Sequence, residues 1–253
     1  MKKCVTKHTL HGKQTNYKVF DIHAHIIPGV DDGATDFNMA MDVIYMAYLQ
    51  GTTNIVCTSH DGYNTKQYFR NLKVLQQRID KANIGITLHP GCEVYCCAGD
   101  MEYIVADLYN NIIPTINGTE YVLVEFDTHV KASEMVYCLK YLTERGYKPV
   151  IAHVERYHVL HTSKQLIMLL QNMGCLFQVN AYSFIDTEDK QIKSFAQNLL
   201  KEKYISFIGS DTHGTDYRPY TIQNGINYIY EKCDMQYAKD ICYLNAKNIL
   251  NMK

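Results

Sequence analysis

The apolar positions of the chain fall into short runs of consecutive or alternating residues, separated by stretches in which they recur every three or four. Val19-Phe20-Asp21-Ile22-His23-Ala24-His25 reads as a strand, and because strand side chains alternate faces, Asp21, His23 and His25 are expected to point the same way. Pro28, Gly29, Asp31, Asp32 and Gly33 mark a loop across the end of that strand. Met39, Val43, Met46 and Ala47 share a helical face that ends near Gly51, and Asn54 to Thr58 is a second strand delivering Ser59, His60 and Asp61. Phe69, Leu72, Leu75 and Ile79 line a second helix. Gly85 to Leu88, together with Cys92-Glu93-Val94, makes a third extended segment, followed by a short helix around Met101 to Leu108.

The alternation continues. Tyr121 to Glu125 is a strand ending on an acid, and Ser133 is placed to cap the next helix, which stops at Gly146. Pro149 to His153 is a strand ending on histidine, Ser163 is placed to cap a helix through Met173, and Gly174 to Asn180 is the sixth strand. A helix from about Glu188 to Lys203 leads to the seventh, Ile205 to His213, and two helical segments, about Thr221 to Glu231 and Gln236 to Asn251, close the chain. Strands alternating with helices predict a parallel sheet with right-handed crossovers, and seven such units with ligand-type residues at one end predict a TIM-barrel-like (β/α) barrel. No linker or repeat interrupts the pattern, so one domain is expected over residues 19–253. Residues 1–18 are polar and unpatterned, and are expected to form a flexible arm.

Composition removes several classes of function. With 253 residues and 47% hydrophobic content the chain is long enough for one large core. A formal charge of −1 with no basic block gives no electrostatic footprint for nucleic acid. No apolar run approaches the roughly 18 residues needed to span a bilayer, so membrane insertion is not expected. The nine cysteines are scattered and the chain opens without an apolar leader, which points to reduced thiols and a cytoplasmic location. Cys92, Cys96 and Cys97 lack a second matching pair, so buried, inert thiols are expected rather than a thiolate metal site.

Barrel enzymes carry their chemistry at the C-terminal ends of the strands. Those ends here hold His23, His25, His60, Glu93, Glu125, His153, Asp211 and His213, with Asp32 on the first loop. Nine nitrogen and carboxylate ligands exceed what one ion uses, so two or three ions sharing carboxylates are expected. Mixed imidazole and carboxylate ligation suits manganese, iron or zinc better than magnesium or calcium. Closely spaced ions activate water at neutral pH and bind phosphoryl oxygens, which together make a phosphoester hydrolase. Arg156 and Arg218 are then placed to clamp the equatorial oxygens. His89, His129, His158 and His161 fit the strand-end pattern less well and are expected at the surface or behind the ligands. No cysteine is followed six positions later by arginine, and no G-x-S-x-G, Walker or G-x-G-x-x-G motif is present, which leaves catalysis by metal.

The set Asp21-Ile-His23-Ala-His25, Pro28-Gly-Val-Asp31-Asp32-Gly33, Thr58-Ser-His60, Gly91-Cys-Glu93, Val124-Glu125-Phe126, Val150-Ile-Ala-His153-Val-Glu155-Arg156-Tyr157 and Ser210-Asp211-Thr-His213 resembles the polymerase and histidinol phosphatase (PHP) superfamily. More closely, it is similar to the manganese-dependent protein tyrosine phosphatases of bacterial capsule and exopolysaccharide loci, the CpsB/YwqE type. The resemblance runs from Asp21 to the C-terminus. It implies a distorted seven-stranded barrel with a trinuclear manganese site: His23, His25, Glu93 and Asp211 on one ion, Glu93, Glu125 and His153 on the second, and Asp32, His60 and His213 on the third. Arg156 and Arg218 would bind the phosphate. The implied substrate is phosphotyrosine on a cognate bacterial tyrosine kinase, often in a tyrosine-rich tail. Asp61, where relatives often have histidine or arginine, and Gly214, in place of a common asparagine, depart from the pattern. A small-molecule phosphoesterase of the histidinol phosphatase kind is the alternative within the superfamily, and a silent metal-binding docking module is the alternative outside enzymes.

Overall fold

In the computed structural model, which describes residues 17–251, the chain forms a single mixed α/β domain. The first strand, β1 (Val19–Ala24), is buried along its whole length, as a parallel strand covered on both faces must be. Asp36 caps α1 (Phe37–Leu49) by accepting from the N–H groups of Asn38 and Met39. Then follow β2 (Thr52–Cys57) and α2 (Thr65–Lys81), the latter capped by Asn64. The expected third segment is two strands, β3 (Thr87–Pro90) and β4 (Glu93–Tyr95). Pro90 offers no N–H to continue a ladder. Gly91 passes so close to β2 that a Cβ there would lie 2.6 Å from Val56 Cγ1, and the chain crosses between sheets at this point.

Beyond it come α3 (Met101–Tyr109), β5 (Tyr121–Glu125), α4 (Ala132–Thr143) and β6 (Lys148–Ile151). Ser133 lies inside α4 rather than at its cap, because the cap position falls two residues earlier, at Lys131, with no side-chain cap. Gly146 takes φ 87° and ends the turn. A one-turn α5 (His158–His161) precedes α6 (Lys164–Asn172), which Ser163 caps as expected. The chain continues through β7 (Leu176–Asn180), α7 (Lys190–Lys201) and β8 (Phe207–Gly209). It ends with α8 (Gln223–Lys232), α9 (Met235–Lys239) and α10 (Asn245–Ile249). The expected last helix is thus broken by a π-type turn over Asp240–Leu244. No helix among the described residues is long and apolar enough to cross a membrane.

All strand pairs are parallel, in two sheets ordered β1-β2-β3 and β4-β5-β6-β7-β8. The described residues therefore contain eight strands and no continuous closed ladder, where seven in a ring were expected. The sheets meet at two seams near their C-terminal ends. At one, His25 N–H donates to Thr212 carbonyl and Asp211 N–H to His23 carbonyl; at the other, Glu93 N–H donates to Ser59 carbonyl and Asp61 N–H to Glu93 carbonyl. An inner cluster including Phe20, Ile22, Val56, Leu123, Val150 and Phe207 fills the space between the sheets, and a larger cluster lies under the helices. Tyr17, at the end of the expected arm, stacks on Tyr230 with ring centroids 3.5 Å apart; residues 1–16 of that arm lie outside the described residues.

Candidate metal centre

The strand ends bring all nine expected ligand residues together. His23 and His25 converge as the alternation predicts, their Nε2 atoms 3.1 Å apart. Asp21 does not join them: the strand register slips between Asp21 and Ala24, and its Oδ1 accepts the N–H groups of His23 (3.1 Å) and Ser210 (2.9 Å). Glu93 Oε2 lies 3.1 Å from both imidazole Nε2 atoms, and Asp211 Oδ1 lies 3.5 and 3.7 Å from them. His153 Nε2 is 2.9 Å from Glu93 Oε1 and 3.6 Å from Glu125 Oε2. His60 reaches Glu125 Oε1 at 3.0 Å through Nδ1 and Asp32 Oδ1 at 3.6 Å through Nε2, and His213 Nε2 stands 3.5 Å from the same Asp32 oxygen.

The donor chemistry of this cluster fits metal ions. His23 Nδ1 faces Gln178 Oε1 at 3.0 Å and His25 Nδ1 faces Asp31 Oδ2 at 2.8 Å, so each ring carries its proton on Nδ1 and turns a bare Nε2 inward. With both rings neutral, two bare nitrogens and a carboxylate oxygen would lie within 3.1 Å of one another with no donor between them, so the cluster takes up a cation, either a metal ion or, in its absence, added protons. Three groups have ligand atoms close enough to share one: His23, His25 and Glu93; His60, Glu93 and Glu125; and His25, Asp32, His60 and His213. His25 and His60 thus each fall in two groups, a wider sharing than the resemblance implies.

Without metal, protons balance the charge. Burial acts to lower the pKa of His25, but hydrogen bonds to Asp31 and Glu93 outweigh it and hold the ring at about 9. Burial and the Arg156 charge oppose protonation of His153, and hydrogen bonds to Glu125 and Glu93 again win, at about 9. His213, buried and repelled by His25, is depressed to about 4. Burial would raise the carboxyls of Glu93 and Asp211, yet the His23 charge beside each holds both below the ordinary range.

Both expected arginines stand at this centre. Arg156 Nη2 donates to Asp211 Oδ2 (2.6 Å) and to the Tyr182 hydroxyl. Arg218 Nη1 lies 3.3 Å from His213 Nε2 and 3.6 Å from Asp211 Oδ1. His153, Asp211 and Arg218 all hold left-handed backbone, with φ of 30°, 53° and 45°, a conformation costing about 1–3 kcal/mol per non-glycine residue. The turn at Asp211 stops β8 short of the nine-residue strand expected there. Glycines make room for the two histidines: a Cβ on Gly33 would fall 2.2 Å from the His25 carbonyl oxygen, and one on Gly209 2.7 Å from His23 Cβ.

Several residues around the centre carry no ligand signal in the sequence. Gln178 accepts from His23 Nδ1 and from His153 N–H (2.8 Å), and its Nε2 donates to Asn180 Oδ1 (2.8 Å). Asn180 Nδ2 donates to Asp211 Oδ2 (3.0 Å) and the Tyr182 hydroxyl (3.2 Å). Glu155 is fully buried and accepts from Asn180 N–H and Ser183 Oγ, fixing the turn that carries Tyr182. The remaining histidines divide. His129 and His158 are exposed, with rings 4.7 Å apart, and His161 bonds the Glu155 carbonyl. His89, expected at the surface or behind the ligands, is instead buried beside Phe20, with Nε2 3.0 Å from Asn54 Oδ1. The eight described cysteines are free; burial pushes the Cys92 and Cys96 thiols well above their usual range.

A family model described as capsular polysaccharide synthesis, CpsB/CapC, matches residues 19–251. The tyrosine-protein phosphatase CpsB of Streptococcus agalactiae serotype V is 29% identical over 242 residues, covering 92% of this chain and 98% of that protein. The tyrosine-protein phosphatase YwqE of Bacillus subtilis (strain 168) is 30% identical over 240 residues, covering 91% and 89%. Among solved structures, a chain from the work on YwqE of Bacillus subtilis and CpsB of Streptococcus pneumoniae, described as unique metal-dependent tyrosine phosphatases, superposes with TM-score 0.80 at 28% identity, covering 92% of this chain and 95% of that one. Histidinol phosphate phosphatase of Lactococcus lactis, solved with zinc, L-histidinol and phosphate, aligns at TM-score 0.59 and 15% identity over 85% of this chain and 93% of that one, a likeness of fold alone.

Proposed function

Because the chain belongs to the CpsB/CapC family, we propose that it is a metal-dependent protein tyrosine phosphatase acting in capsule or exopolysaccharide synthesis. The observation that carries the reading is the convergence of nine imidazole and carboxylate residues with two guanidinium groups at their rim. The substrate in this reading is phosphotyrosine on a bacterial tyrosine kinase, the metal is manganese, and the location is cytoplasmic. The reading treats the two sheets as one distorted seven-stave barrel, with β3 and β4 making a single broken stave; the hydrogen bonds at both seams support it.

His23, His25, Glu93 and Asp211, then Glu93, Glu125, His153 and His60, then Asp32, His60, His213 and His25 would hold the ions. Manganese bound there supplies Lewis-acid charge and lowers the pKa of water, so that a nucleophile is available at neutral pH. The chain's own part is binding and alignment. Arg156, fixed by Asp211 and Tyr182, presents one guanidinium edge at a set angle, and Arg218 approaches from the His213 side. Two cations on different elements neutralise the equatorial oxygens as charge spreads over them in the transition state. Gln178 and Asp31 hold His23 and His25 in the tautomer that leaves each Nε2 free.

Phosphate release from a phosphotyrosine peptide and from histidinol phosphate, each with manganese and with chelator, tests the reading. Manganese-dependent turnover of the peptide is the expected result. Preference for histidinol phosphate would move the protein to small-molecule chemistry, and silence on both would end the enzymatic reading.

A further inference from the structure

Beside the centre the chain makes a short return loop from Gly214 to Pro219. Those two residues form a parallel bridge. The Arg218 carbonyl at its base accepts from His213 N–H (3.0 Å) and Thr212 Oγ1 (3.0 Å). The loop carries Tyr217 at the rim. The residue is 66% exposed but its ring is not loose: the Arg218 guanidinium carbon sits 5.4 Å from the ring centroid, and the His213 ring meets it edge-on at 6.3 Å. The Tyr217 hydroxyl makes no hydrogen bond among the described residues.

The two groups that pin the ring are the ones a phosphoryl group would meet on this side of the centre. A phosphoryl group resting on Arg218 places its ester substituent only a few ångströms farther out. When that substituent is aromatic, it comes within the roughly 4.5–7 Å centroid separation at which ring pairs attract. The alkyl group of a phosphoserine or a phosphorylated amino alcohol has no ring to set there. Because the loop closes on its own backbone, the Tyr217 ring is held in place before the substrate arrives, and little ordering entropy opposes the contact.

We infer that Tyr217 is a specificity-determining residue that stacks on the aromatic ring of the phosphotyrosine substrate; this rests on the tyrosine phosphatase reading above. The test is steady-state kinetics of the manganese-loaded protein on a phosphotyrosine peptide, with inhibition by inorganic phosphate as the ring-free measure. Wild type is compared with Tyr217→Ala, Tyr217→Leu and Tyr217→Phe. Loss of the ring in the Ala and Leu variants is expected to raise KM for the peptide about three- to tenfold, with kcat and phosphate inhibition little changed, and Phe is expected to behave as wild type. An unchanged KM in the Ala variant overturns the inference. So does a loss of phosphate inhibition in step with KM, since Tyr217 would then only seat Arg218. A wild-type protein inactive on phosphotyrosine removes the functional reading and this inference together, whereas an active wild type with an indifferent Ala variant removes the inference alone.

Discussion

Gln178 gives the sharpest test of how the centre is held. It is fully buried on β7, with Oε1 accepting from His23 Nδ1 (3.0 Å) and His153 N–H (2.8 Å) and Nε2 donating to Asn180 Oδ1 (2.8 Å). Leucine has nearly the same volume, so Gln178→Leu removes the hydrogen bonds without opening a cavity. Three buried polar groups lose their partner at about 1–3 kcal/mol each, or roughly 3–9 kcal/mol in all. His23 recovers part of this by giving up its Nδ1 proton and keeping the one on Nε2, which Glu93 Oε2 at 3.1 Å accepts; the expected net cost is then about 2–6 kcal/mol. That same proton covers the lone pair the metal needs, so manganese affinity is expected to fall about 10–100-fold. Urea unfolding of the metal-free protein and a calorimetric manganese titration measure the two quantities. Gln178→Glu is the companion: it keeps the acceptor but sets an oxygen against Asn180 Oδ1, and Asn180 is held from turning by its bonds to Asp211 and Tyr182. A Gln178→Leu protein with unchanged unfolding free energy and manganese affinity would refute the reasoning.

Three further outcomes are expected. Arg156→Ala keeps its circular dichroism spectrum and loses at least about 10²-fold in turnover, as for loss of one transition-state donor; near-normal turnover removes the residue from the mechanism. In the chelated protein, His25 and His153 sit at about 9 against an ordinary 6.5. A raised histidine stabilises the fold while protonated, so this stabilisation is complete below pH 6.5 and fades as pH climbs to about 9. The Tm of the metal-free protein should fall across that window, with metal uptake releasing more protons at its lower end, and a flat Tm would count against the assignment. Gly33→Ala drives a methyl to 2.2 Å from the His25 carbonyl oxygen and is expected to cost about 1–3 kcal/mol in thermal unfolding together with activity; a neutral outcome would show that the loop yields freely.

The convergence of the candidate ligands was legible because all but Asp32 stand at or just past the end of an apolar run, and side-chain alternation aims strand-end residues at one place whatever the rest of the fold does. What escaped depends on contacts distant in sequence. The break between β3 and β4 follows from Gly91 pressing on Val56, a neighbour that no local pattern reveals. Adjacent acids cannot be told apart by composition: Asp31 turns back to His25 Nδ1, while Asp32 faces His60 and His213. Ser133 is a good cap by type, but the helix starts where the chain leaves Lys131. Gln178 did leave a trace, as a lone amide within the otherwise apolar run Leu176 to Val179, where a buried polar side chain must find partners. The left-handed backbone of His153, Asp211 and Arg218 left none, since glycine is the usual mark of that conformation.

The two seams have a consequence beyond catalysis. Glu93 stands on the edge strand of one sheet and His23 on the first strand of the other, with His25 just past that strand's end, while Asp211 follows β8 at the opposite junction. A cation shared by these residues, as proposed above, would act as a rivet through both joints of the shell. Starved of metal, the protein would do worse than fall idle: the amides of His25, Asp61, Glu93 and Asp211 would exchange with solvent ahead of the surrounding strands, and proteases would find an opening there. The supply of a trace element would then set how long the polypeptide survives as well as how fast it works.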